Sequence, residues 1–161
     1  MSSVETVSLR ACRPDGWRER ELMMTTLTVS TSIDRETAQL IGDGLNAYNY
    51  ETAGPHNEQD LWIVARDEDG SLAGGLKGSS EYSWLFVEWL WISSKHRNRG
   101  LGAQLLGKAE EVARQRGCVG VHLDSYTFQA PEFYKRLGYE EFGRIDDYPA
   151  GHSRVWLKKR L

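Results

Sequence analysis

The stretch Trp84–Ala103, WLFVEWLWISSKHRNRGLGA, decides the fold. Its first half, Trp84 to Ile92, is the longest aromatic and β-branched run in the chain and reads as a buried strand. From Leu101 onward, Leu105, Leu106, Ala109, Val112 and Ala113 share a helical face up to Arg116, and Gly117 is the C′ stop. Between strand and helix stands Arg97-Asn98-Arg99-Gly100-Leu101-Gly102-Ala103. A glycine turn that opens a helix makes an anion site, because the first-turn amides lack intrahelical acceptors and the helix dipole adds partial positive charge. Glycines let backbone approach a pyrophosphate closely, and Arg97 and Arg99 add charge.

Two nucleotide readings of this turn fail on residue identity. The dinucleotide fingerprint needs a third glycine where Leu105 stands. Gly102 to Lys108 imitates a phosphate-binding P-loop, but Ala109 replaces the Ser or Thr that would hold magnesium, and the stretch lies inside the amphipathic helix. A plain glycine N-cap turn and a pyrophosphate turn remain.

Working outward, Leu27–Ser30 reads as a short strand. Asp34 is an N-cap for a helix carrying Ala38, Ile41, Leu45 and Tyr48, and Asn46–Asp60 reads as a loop or a short irregular helix. Leu61–Arg66 and Ser71–Lys77 are strands joined by the turn Asp67–Gly70. After the central helix, Val119–Asp124 is a buried strand and Pro131–Leu137 a short helix stopped by Gly138. Tyr139–Ile145 and Arg154–Leu157 are the last strands. Helices interleaved with strands predict an α/β fold with a mixed sheet. Residues 1–24 are polar and aperiodic and read as a mobile N-terminal extension, with residues 25–161 as the domain.

A chain of 161 residues suits one domain with its own core, and its 27% charged residues and net charge of −3 give no nucleic-acid surface. No apolar run reaches membrane-spanning length and no signal-peptide pattern opens the chain, so a cytoplasmic protein is expected. Cys12 and Cys118 show neither zinc spacing nor a disulfide framework, and no metal is expected.

The turn also matches R/Q-x-x-G-x-G/A through Arg97, Gly100 and Gly102, and Ala130-Pro-Glu-Phe-Tyr134-Lys-Arg-Leu-Gly138-Tyr139 follows at a suitable distance. Together these motifs resemble the GNAT superfamily of acetyl-coenzyme A-dependent N-acetyltransferases, over roughly Leu27 to Leu161. The resemblance implies a mostly antiparallel central sheet flanked by helices, splayed between its fourth and fifth strands. Arg97, Asn98, Arg99, Gly100, Leu101, Gly102 and Ala103 would hold the pyrophosphate of acetyl-CoA. Leu90, Trp91 and Ile92 would pair with its pantetheine arm. Thr127 stands where many members carry Asn.

Acetyl transfer by direct attack asks for a proton acceptor at the amine and a proton donor at the departing thiolate. The resemblance makes Tyr134 the acid, against the alternative that its ring only packs. Glu88 interrupts an apolar strand, where a carboxylate needs a partner or a job; base and structural carboxylate both stand, as does a water chain. Tyr48, Tyr50 and Glu51, with Asp146 and Asp147, combine rings and carboxylates where the family admits its amine, which suits a small cationic acceptor. The alternatives are a catalytically weak acetyl-CoA-binding module and a protein lysine or N-terminal acetyltransferase. No nucleic-acid or membrane partner is expected, and a homodimer is compatible with the reading.

Overall fold

The computed structural model describes residues 5–7 and 26–161. The extension expected over residues 1–24 therefore lies outside the described residues, except Glu5–Val7. The chain forms two compact units, Met1–Thr52 and Ala53–Leu161.

In the first unit, strands β1 (Glu5–Val7) and β2 (Leu27–Val29) pair antiparallel. Helix α1 spans Arg35–Ala53. Asp34 is its N-cap: Oδ1 accepts from the Thr37 amide at 2.8 Å and Oδ2 from the Thr37 hydroxyl at 2.8 Å. The loop or short irregular helix expected from Asn46 is corrected, because the regular helix α1 runs on to Ala53 and ends only before Gly54-Pro55.

The second unit holds β3 (Gln59–Arg66), β4 (Leu72–Glu81), β5 (Trp84–Ile92), α2 (Leu101–Gln115), β6 (Gly120–Tyr126), α3 (Pro131–Arg136), β7 (Glu140–Ile145) and β8 (Arg154–Arg160). The strands make one sheet in the order β3-β4-β5-β6-β8-β7. Only β5 and β6 run parallel, as expected of strands joined by a helical crossover. Counting Glu5–Val7 makes these the fifth and sixth strands rather than the fourth and fifth.

Period-2 alternation assigns the two faces of the sheet. Leu61, Leu76, Leu85, Val87, Val121, Leu123, Val155 and Leu157 are buried together with Leu105, Leu106, Ala109 and Ala113 of α2. Phe133, Tyr134 and Leu137 pack on the same cluster. Cys118 is buried beside it, and desolvation pushes its thiol pKa up, which suits an inert core thiol.

One polar network sits inside this core. Glu110 is buried, and its Oε1 accepts the Tyr139 hydroxyl at 3.1 Å. Lys159 Nζ donates to both carboxylate oxygens at 2.9 Å. Burial and the Glu110 charge both hold the Tyr139 phenol well above its usual range. Glu110→Ala removes the acceptor of Tyr139 and Lys159 and the ion-pair partner of Arg114, and leaves Tyr139 unsatisfied. Lys159 is partly exposed and can rehydrate, so the cost is about 2–3 kcal/mol, below a fully buried broken pair. For a chain of this size that is a fall in Tm of roughly 5–10 °C. Calorimetric melting of the variant checks it; an unchanged Tm would mean the network contributes nothing.

Candidate active site

The site forms where β5 and β6 part. Their shared register runs from Trp84↔Gly120 to Val87↔Leu123 and stops there. Beyond that rung β5 stays with β4, through Leu76↔Leu90, Gly75↔Trp91 and Gly74↔Ile92. β6 stays with β8, through Asp124↔Trp156 and Tyr126↔Arg154. The arms Glu88–Ile92 and Asp124–Tyr126 thus border a gap with unpaired strand edges. This is the expected splay, and Leu90, Trp91 and Ile92 lie along it.

The anion turn closes one end. After β5, Ser94–His96 make a single 3-10 turn. His96 braces it, with Nε2 2.9 Å from Asp67 Oδ1 in the β3–β4 turn and Nδ1 2.6 Å from Ser93 Oγ. Arg97 Nε donates to the Ile92 carbonyl at 3.2 Å. Asn98 and Gly100 take left-handed backbone, φ +59° and +83°. The chain curls there so that α2 opens at Leu101. The Gln104 amide reaches the Gly100 carbonyl at 3.1 Å, which leaves the amides of Leu101, Gly102 and Ala103 without intrahelical acceptors.

The two glycines serve different ends. A Cβ at Gly100 would meet no atom within 4 Å, so the space next to that backbone is open. A Cβ at Gly102 would lie 3.2 Å from the Phe133 ring, so Gly102 also lets α3 approach α2. The next residue, Tyr134, packs on the core cluster with its ring against Phe133. Arg97 and Arg99 are exposed and make no ion pair among the described residues. The residues present therefore suit a pyrophosphate, and acetyl-CoA bound there would supply the thioester to the splay.

Tyr134 sits half-buried with its ring 5.0 Å from Phe133 and 6.1 Å from Tyr139. Burial, helped by the negative charge of Asp124, pushes its phenol up to about 12. It is a proton donor throughout the neutral range.

Glu88 is the extra residue of a β-bulge, since Lys77 pairs with Trp89 and Gly78 with Val87. The partner that a carboxylate in this apolar strand needs is Lys77 on the neighbouring strand, which donates an ion-paired hydrogen bond to it. The same ammonium lies 4.9 Å from the Trp89 ring centroid and 5.9 Å from Trp62.

A second ion pair escaped the sequence reading. Arg154 Nε donates to Asp124 Oδ1 at 2.6 Å. The guanidinium carbon lies 5.3, 5.7 and 5.4 Å from the rings of Tyr126, Tyr148 and Trp156. Only the antiparallel register of β6 with β8 brings these distant residues together. No sequence signal marks the pair.

The acceptor residues belong to different units, Tyr48, Tyr50 and Glu51 to the first and Asp146 and Asp147 to the second. Tyr48, Tyr50 and Glu51 are exposed in the last turns of α1, not in a loop after it. Asp146 and Asp147 are exposed in the β7–β8 turn. Asp146 Oδ1 accepts from Ser153 Oγ at 2.7 Å, and Asp147 Oδ1 from the Gly151 amide at 3.3 Å. Thr127 is tied to Ser153, whose amide donates to its Oγ1 at 3.0 Å. Among the described residues no His, Cys, Asp and Glu cluster could hold a metal ion.

The profile of the Acetyltransferase (GNAT) family matches residues 27–139. The chain is 37% identical over 133 residues to an acetyltransferase of Agrobacterium fabrum, covering 83% of this chain and 97% of that protein. It is 44% identical over 95 residues to the blasticidin-S acetyltransferase of Streptomyces morookaense, covering 58% of this chain and 70% of that one. The crystal structure of an acetyltransferase from Bacillus cereus superposes with a TM-score of 0.78 at 34% identity, over 83% of this chain and 97% of that one.

Proposed function

This chain belongs to the GNAT acetyltransferase family, and from that premise we propose that it moves the acetyl group of acetyl-CoA directly onto the primary amine of a small cationic molecule. One observation carries the reading: the gap beyond the Val87↔Leu123 rung has the anion turn at one end and a protonated tyrosine beside it. The turn takes the pyrophosphate, the strand edge of Glu88–Ile92 aligns the arm, and Tyr134 gives the leaving thiolate its proton. Exposed carboxylates at Asp146 and Asp147, near the Tyr148 ring, favour a cation over an acid. Similarity to a blasticidin-S acetyltransferase supports an amine-bearing antibiotic as the acceptor.

The test is thiol release from acetyl-CoA over a broad amine panel, followed by Asp146→Asn and Asp147→Asn. Each exposed charge contributes modestly, so KM for the best cationic acceptor should rise about 3–10-fold, with the acetyl-CoA KM unmoved. A neutral or acidic best acceptor, or two variants that bind it normally, would contradict the assignment.

A further inference from the structure

Two carboxylates border the splay in matching places. Glu88 and Asp124 each follow directly on one partner of the last shared rung, Val87↔Leu123. Their surroundings differ. Glu88 is drawn across β4 to Lys77, whose ammonium sits against Trp89 and Trp62 on the β3 side. Asp124 stays on the β6 arm with its side chain 14% exposed, and its charge is felt at Tyr134. Of the two, Asp124 is the one electrostatically linked to the acid.

We infer that Asp124 receives the ammonium of the acceptor and takes its proton, and that Arg154 is the positioning residue that holds it there. The inference rests on the amine-acetyltransferase reading above and names the group that handles the amine. Arg154 engages Oδ1 alone; Oδ2 has no hydrogen-bond partner among the described residues and is not sealed from solvent. The guanidinium is flanked by the rings of Tyr126, Tyr148 and Trp156, and Nη1 donates to the Tyr148 hydroxyl at 3.4 Å, which favours this position. Trp156 stands opposite Asp124 on β8, the Asp124 charge is felt at His122 on β6 and at Tyr134 on α3, and Tyr126 and Tyr148 flank the Arg154 guanidinium that holds the carboxylate. Arg154 is the only cation among them whose charge is fixed, and its fork leaves one oxygen for a second cation.

The proton count closes. The ammonium gives one proton to Asp124, and the freed lone pair forms the C–N bond at the thioester carbonyl. The C–S bond breaks, the thiolate takes the Tyr134 proton, and the second amine proton restores the phenol. Asp124 releases its proton to solvent, so amide, thiol and one proton leave.

The experiment uses the full chain and the best amine of the panel. Asp124→Asn keeps the shape and an oxygen for Arg154, so the fold should hold. The amine kcat/KM should fall about 10²-fold at pH 7, within the range of a lost proton acceptor, with acetyl-CoA affinity unchanged. Activity should partly return at a pH above the pKa of the amine, where the free base needs no acceptor. Asp124→Glu should recover at least a tenth of the rate even if the asparagine variant folds poorly. Arg154→Lys should raise the amine KM more than it lowers kcat, since it loosens the carboxylate without removing it. An active wild type with Asp124→Asn undiminished, or a loss that is uniform across pH, overturns this inference alone. A wild type that binds acetyl-CoA but releases no thiol with any amine overturns the parent reading instead.

Discussion

Tyr134→Phe should lower kcat by about 10²-fold or more, a barrier increase of roughly 2.7 kcal/mol, with acetyl-CoA affinity little changed. The change deletes one oxygen and keeps the ring. Its contacts with Phe133 and Tyr139 are ring contacts, so the packing against Gly102 and the core should persist. The loss therefore reports the proton. The pH dependence sharpens the test. With the phenol pushed up to about 12, Tyr134 is protonated at every pH below about 11 and contributes no alkaline limb there. An alkaline fall in the wild-type rate near pH 8–10 that disappears in Tyr134→Phe would contradict the buried, protonated tyrosine. So would an unchanged kcat under conditions where chemistry limits turnover.

Much of this site is legible from residue order because it is built from local segments. A strand, a glycine turn and a helix follow one another directly between Trp84 and Gln115, so the anion site needs no tertiary information. Tyr134 is reached through the resemblance of Ala130–Tyr139 to a family motif, and only its helix carries signals of its own, Pro131 at its start and Gly138 after its end. What residue order hides is cross-strand chemistry. Lys77 meets Glu88 only through the β4–β5 register and its bulge, and Arg154 meets Asp124 only through β6–β8. Polar neighbours of that kind change what a carboxylate can do, yet leave no periodic trace. The extent of α1 was hidden for another reason. Its last turns, Asn46 to Ala53, are polar with Tyr48 and Tyr50 interspersed, which reads as a loop or a short irregular helix until Gly54 is seen to be the first residue that stops a helix.

The two glycines of the turn were equivalent as letters and are not equivalent in space. A charge at position 102 would push on Phe133 and confuse packing with binding. Position 100 is open, and its left-handed backbone tolerates Asp and Asn better than other side chains. Gly100→Asp sets a carboxylate where the pyrophosphate would lie. At an effective dielectric near 20 and a separation of about 5 Å, each like-charge pair costs roughly 3 kcal/mol, enough for a loss of at least about 10²-fold in affinity. Gly100→Asn has nearly the same shape and backbone cost without the charge, and should lose less than about 10-fold. Calorimetric titration of acetyl-CoA into the wild type and these two folded variants tests the central claim, that Arg97 to Ala103 holds the cofactor. The wild type should bind tightly, the Asn variant slightly less and the Asp variant almost not at all; equal affinity for the wild type and the folded Asp variant would contradict this placement of the cofactor.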